Sequence, residues 1–125
     1  MRIRAIVLLA FAATAGATIA APAQESRPLV YRVPIEGMID LGLAPFVERV
    51  LGEATGAGAA AVILEINTFG GRVDGAVLIR DALLRAKVRT VAFVNKRAIS
   101  AGALISLAAT TIVMAEGGTI GAAAP

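Results

Sequence analysis

Beyond residue 28 the spacing of apolar residues switches repeatedly between a strand period and a helix period. Residues 29–35 (LVYRVPI) form a β-rich run, and Pro34 within it fits an edge strand or a strand end, because proline has no N–H for an inner ladder. Residues 36–40 (EGMID) read as a connection. Leu43, Phe46, Val47, Val50, Leu51 and Ala54 then recur at i, i+3, i+4, i+7, i+8 and i+11, one apolar stripe of a helix, with Glu48, Arg49 and Glu53 off it. Pro45 suits its first turn, and Gly56-Ala57-Gly58 stops it.

Residues 60–66 (AAVILEI) are nearly all apolar, the pattern of a strand covered on both faces in a parallel sheet. A turn, NTFGG at 67–71, leads to a helix over 73–86. Its inner face carries Ala76, Ile79, Leu83 and Ala86, and Asp81 and Arg85 stand at i, i+4 for an outer ion pair. Residues 90–95 (TVAFVN) give another buried strand and 100–109 a helix. Residues 111–115 (TIVMA) give a last strand, and 117–121 (GGTIG) a glycine-rich connection. The order β-α-β-α-β-α-β predicts an α/β fold, with a mostly parallel sheet and right-handed crossover helices. There is no internal repeat and no linker.

The first 23 residues follow another plan. Arg2 and Arg4 precede an uncharged, alanine-rich stretch that ends in Ala21-Pro22-Ala23 and then in polar Gln24-Glu25-Ser26. This is the layout of a secretory signal peptide cleaved after Ala23, with an uncleaved anchor as the alternative. On either reading residues 24–125 are exported across the inner membrane. Residues 98–115 also run without a charge for the length of a membrane span. Their shift from Ala, Gly and Leu to β-branched residues fits a buried helix followed by a buried strand better. Four strands over three helices make a small sheet for this architecture, so residues 24–125 read as part of a larger domain.

Composition narrows the chemistry. The 125 residues include no His, Cys or Trp, 58% are hydrophobic and 17% are charged. A Ser-His-Asp triad, a cysteine nucleophile and a Cys/His zinc site are therefore excluded within this chain, and no metal site is expected. The net charge is +3. Two of the arginines lie in the leader and most of the others have an acidic neighbour, so no stripe for nucleic acid appears.

Two loops carry candidate chemistry. Gly70-Gly71 joins a buried strand to a helix, where backbone N–H groups without a Cβ can approach an anion. A plain βα turn explains the pair equally simply. Ala98-Ile99-Ser100-Ala101-Gly102 half-matches a nucleophile elbow, with Ala98 in place of the first glycine. There the Ser100 Oγ would stand exposed beside the N–H of Ala101. The competing reading makes Ser100 an ordinary N-cap. Both loops follow parallel strands and so open on the same carboxyl edge of the sheet, where ligands of open α/β sheets bind.

The segments VPIEGMID (33–40), AVILEINTFGGRVDGA (61–76) and TVAFVNKRAISAGALISLAATTIVMAEGGTIGAAAP (90–125) resemble the N-terminal domain of the long-form NfeD family of membrane-bound, ClpP-class serine proteases. The resemblance implies a ClpP/crotonase-like fold and a Ser-Lys dyad without a cofactor. Ser100 matches the nucleophile, and Gly70, Gly71 and Ala101 match the oxyanion-hole region. Phe69 and Gly102 fall where the substrate groove runs. The family's lysine base belongs to a helix beyond Pro125. The implied partners are a stomatin-like membrane protein, whose apolar peptide segments are the substrates, and further copies of the chain in a dimer or larger ring.

Two positions depart from the family's usual NTPGG and NPRAIS, where Phe69 and Lys96 replace prolines. Lys96, next to Arg97 and across a turn from Ser100, reads as a solvated surface charge. Lys87 ends a helix, where the dipole favours a cation. A catalytically inactive scaffold for a stomatin-like protein and a crotonase-type acyl-CoA enzyme are the competing functions.

Overall fold

Five strands and three helices follow one another in a computed structural model that describes residues 25–123 and Gly16. The expected signal peptide, Gly16 apart, lies outside the described residues. The elements are β1 (Val30–Ile39), α1 (Leu43–Gly56), β2 (Ala61–Gly71), α2 (Val73–Arg85), β3 (Thr90–Ile99), α3 (Ala101–Leu107), β4 (Thr111–Met114) and β5 (Thr119–Gly121). The sheet runs in the order β1-β2-β3-β4, β5 also pairs with β3, and every pairing is parallel. The expected alternation is therefore present, and Pro34 does sit on an edge strand.

Three segments read as connections are strand. β1 continues through Ile39 across a bulge between Glu36 and Met38, where Gly37 takes φ +70°. It thereby pairs Met38 with Gly70 and Ile39 with Gly71, which draws NTFGG into β2. Residues 119–121 form β5, in register with Arg97, Ala98 and Ile99. Local sequence marked these stretches as turns because glycine is frequent in them. The ladder from a neighbouring strand overrides that preference.

Burial also differs from expectation. Along β2, Val62, Leu64 and Ile66 are fully buried, while Ile63, Glu65 and Asn67 are only partly so. Period-2 burial means that one face is covered, and α1, α2 and α3 cover it by packing side by side. Val47, Ala54, Ile79 and Ile105 fill that layer with no exposure. Removing a side chain such as Ile79 there costs about 2–5 kcal/mol through lost transfer energy and an unfilled cavity. On the other face, Ile63 and Val91 pair across the sheet, as do Glu65 and Phe93. Glu65 accepts hydrogen bonds from Arg32 and from Asn95 Nδ2 (3.0 Å). The Arg32 guanidinium lowers the Glu65 pKa against the partial burial that raises it. The expected Asp81–Arg85 pair does not form. Asp81 binds Arg80 at 2.6 Å, and Arg85 reaches Glu48 on α1 at 3.6 Å.

Among the described residues no helix is long and apolar enough to cross a membrane. Residues 98–115 divide into the end of β3, α3 and β4.

Candidate active site

The carboxyl ends of β2 and β3 come together at Gly70 and Ser100. β3 and β2 are in register as far as Thr68 and Ala98, and beyond that pair the chain of β3 turns sharply into α3. Ser100 is the turning residue, at φ 54°, ψ −115°. This conformation is costly for a residue with a Cβ and is the mark of a strained strand-to-helix elbow. The surroundings hold it there. Its N–H donates to Gly121 O of β5 (2.9 Å), and its carbonyl accepts from Ala103 N (3.0 Å) and Leu104 N (3.2 Å).

Ser100 occupies the N-cap position of α3, but its side chain makes no cap hydrogen bond. Its Oγ, half-buried, instead faces Gly70. A Cβ built on Gly70 would stand 2.9 Å from Ser100 Cβ and 3.3 Å from Ser100 Oγ. Gly70 also has φ +112°, a region that residues with side chains rarely adopt. Both its space and its dihedral angle therefore require glycine. At Gly71 the obstacle is backbone, because a Cβ would meet Ile39 of β1, with Ile39 N at 2.6 Å.

Backbone donors sort themselves by where they are already engaged. Gly70 N–H, expected as an oxyanion donor, donates to Thr68 Oγ1 (2.9 Å). On the β1 side Arg72 N–H donates to Ile39 O (2.8 Å), and with Ile39 opposite Gly71 in a parallel ladder the Gly71 N–H points away from β1. Ala101 N–H is the first of α3 and has no carbonyl within the helix to bind.

Thr68 was not legible as a site residue. It is buried, donates to Gly37 O, and so ties the bulge of β1 to the glycine pair. The available signal was a threonine two residues before a glycine, the spacing at which its hydroxyl can accept a backbone N–H. Gly102, expected in the substrate groove, is buried instead. A Cβ there would lie 2.5 Å from Thr68 Cγ2 and 3.7 Å from Ala98 Cβ. Gly102 is thus what lets α3 fold back over β2.

A groove of about 590 Å³ opens beside this corner, lined by Gly37, Met38, Asn67, Thr68, Phe69, Gly70, Gly71 and Arg97. Ser100 is not in its lining. It stands against Gly70 on the side to which a side chain at 70 would point. Phe69 lines this groove and is 73% exposed, with the Arg97 guanidinium 4.3 Å from its ring centroid. Lys96 is exposed. No cluster of His, Cys, Asp and Glu fit for a metal occurs among the described residues.

Comparison with known proteins places the chain among relatives of one family and fold. The profile of the NfeD1b N-terminal domain matches residues 29–125. The membrane protein NfeD1b of Bacillus subtilis is 45% identical over 102 residues, which is 82% of this chain and 23% of that protein. The membrane-bound protease PH1510 of Pyrococcus horikoshii is 32% identical over 103 residues, 80% of this chain and again 23% of the relative. Among solved structures, a mutant of the membrane-bound stomatin-specific protease 1510-N superposes with a TM-score of 0.74 at 32% identity, covering 80% of this chain and 50% of that one. A second mutant, bound to a substrate peptide, gives 0.73 at 33% identity, covering 80% and 47%. ClpP1 of Listeria monocytogenes gives 0.52 at 32% identity, covering 62% and 46%. The fold is that of the ClpP-like proteases. The chain spans about a quarter of the curated relatives and about half of the solved domains.

Proposed function

We propose, since this chain belongs to the family of NfeD1b N-terminal domains, that it forms the front part of a membrane-associated serine endopeptidase domain with Ser100 as nucleophile. The observation that carries this reading is the strained turn at Ser100, whose hydroxyl faces Gly70 beside a peptide-sized groove.

In this mechanism Ser100 Oγ forms a bond to a peptide carbonyl carbon while its proton passes to a neutral lysine. The negative charge that develops on the carbonyl oxygen is met by the N–H groups of Gly71 and Ala101. Collapse breaks the C–N bond, the lysine returns the proton to the leaving amine, and water then releases the acyl group. By resemblance the lysine comes from a helix beyond Pro125. Apolar surroundings keep such a lysine neutral by disfavouring its ammonium form. An extended substrate adds alongside the Gly70-Gly71 strand through backbone hydrogen bonds. The relative described as stomatin-specific supports apolar segments of a stomatin-like membrane protein as substrate. Export through the N-terminal leader puts the site on the far side of the inner membrane, and self-association into dimers or rings is expected.

The test uses the full-length protein and apolar peptides from the C-terminal region of a stomatin-like protein. Ser100→Ala is expected to lower the cleavage rate by about 10³-fold or more. Undiminished cleavage with alanine at position 100 would remove Ser100 from the mechanism.

A further inference from the structure

We infer that Arg97 is a specificity-determining residue whose guanidinium, stacked on Phe69, takes a carboxylate carried by the peptide in the groove. This inference rests on the groove being a peptide site, as proposed above.

The groove presents one cation among largely apolar walls. Met38 and Phe69 line it, both strongly exposed, together with the backbone of Gly70 and Gly71. Five ion pairs among the described residues engage Arg32, Arg49, Arg72, Arg80 and Arg85. Arg97 is in none of them, although it is partly buried. The charged residues next in sequence to the groove's lining are Glu36, exposed on β1, Arg72, exposed and paired with Asp74, and Lys96, exposed beside Arg97. None of the three lines it.

The stack explains how this cation is presented. A guanidinium lying over an aromatic ring uses its flat face and leaves its in-plane N–H donors available. Those donors match the two oxygens of a carboxylate. Contact with the ring, 4.3 Å from guanidinium carbon to centroid, also restricts the rotamers of a long side chain before a ligand arrives. Phe69 thus has a use that accounts for its exposure. It is a platform for Arg97, in the position where the family usually has proline.

Position adds a constraint on the ligand. The Arg97 guanidinium lies over Phe69, next in sequence to the Gly70 that faces Ser100. The carboxylate therefore lies within about three residues of the bond that Ser100 attacks. An Asp or Glu side chain and a free C-terminus present the same chemistry there.

The test measures fluorescence anisotropy of labelled apolar decapeptides with the whole chain. One peptide is amidated and has no acidic residue, one is amidated with a single Glu, and one has a free C-terminal carboxylate. At least one carboxylate-bearing peptide is expected to bind about 10-fold tighter than the neutral one. The stronger of the two identifies the source. Arg97→Ala should erase the preference, read as the ratio of acidic-peptide to neutral-peptide Kd within each variant, and Phe69→Leu should weaken that ratio at unchanged charge. Thermal melts of both variants check that they fold. If the neutral and acidic peptides bind wild type equally, or if Arg97→Ala weakens all three alike, the inference fails while the groove remains a peptide site. If no peptide binds, both readings fail.

Discussion

Gly70 and Ser100 leave no room between them: a single methyl on Gly70 would press against both Cβ and Oγ of Ser100. Gly70→Ala is therefore expected to destabilise the fold by about 2–4 kcal/mol, combining strain at positive φ with overpacking. Gly71→Ala should cost more, because its obstacle is the Ile39 backbone, which cannot rotate away. Urea midpoints distinguish the two. Adding Ser100→Gly removes the Cβ that opposes the new methyl at position 70 and should recover about 1 kcal/mol of the Gly70→Ala loss beyond what Ser100→Gly contributes alone. Beside Gly71→Ala the same addition should contribute only its own effect.

Ser100 by itself is under strain at φ 54°. Glycine accepts that region without penalty, so Ser100→Gly is expected to raise stability by on the order of 1 kcal/mol despite the added entropy of the unfolded chain. Calorimetry of wild type and variant checks this. A lower melting temperature for the glycine variant would mean that the elbow is not strained.

Thr68 and Gly102 make a second tight contact. Gly102→Ala drives a Cβ to 2.5 Å from Thr68 Cγ2. The cost is expected at about 1–3 kcal/mol, through displacement of α3 from β2. Thr68→Ser removes that methyl and keeps the hydroxyl that binds Gly70 N–H. The double variant should therefore recover most of the loss. Thr68→Val does the opposite: it keeps the shape and leaves Gly70 N–H without its acceptor. That change should cost about 1–3 kcal/mol alone and fail to rescue alanine at position 102.

Acid should loosen the start of α2 through Asp74. The Arg72 guanidinium donates to both carboxylate oxygens (2.9 and 2.6 Å), and the Gly75 N–H adds a third bond. Led by Arg72, and against some desolvation, these interactions lower the Asp74 pKa from 3.8 to about 2. A folded-state value below the unfolded one stabilises the fold above the unfolded pKa. That contribution is lost as pH falls through 3.8 toward 2. Both side chains are exposed, so the effect is small. Thermal midpoints of wild type and Asp74→Asn should differ at neutral pH and converge only as pH falls to about 2. A constant gap across that range would show that the pair does not act this way.

Much of the architecture was legible from spacing alone. The stripe from Leu43 to Ala54 identified α1, and Ala76, Ile79 and Leu83 identified the inner face of α2, because a helix buries one side at a fixed period. The sheet's one-sided cover was not legible. Ile63, Val91 and Phe93 make the strands read as wholly apolar, although none of the three described helices covers their face. Nor was the extension of β1 and β2, since Gly37, Gly70 and Gly71 have the local signature of a turn and the pairing that makes them strand comes from residues about 30 positions away.

The same division runs through the site. By itself the sequence determined which chemistries are absent, placed a serine and a glycine pair at the ends of successive parallel strands, and showed the family they resemble. Those properties depend on residue type and local period, which need no coordinates. Tertiary structure alone decided that Ser100 is a strained elbow whose side chain makes no cap bond, that Thr68 occupies Gly70 N–H, that Gly102 is packed against Thr68, and that Arg97 lies over Phe69. Each depends on how closely two distant segments approach, and that separation is set by packing of the whole sheet against its helices.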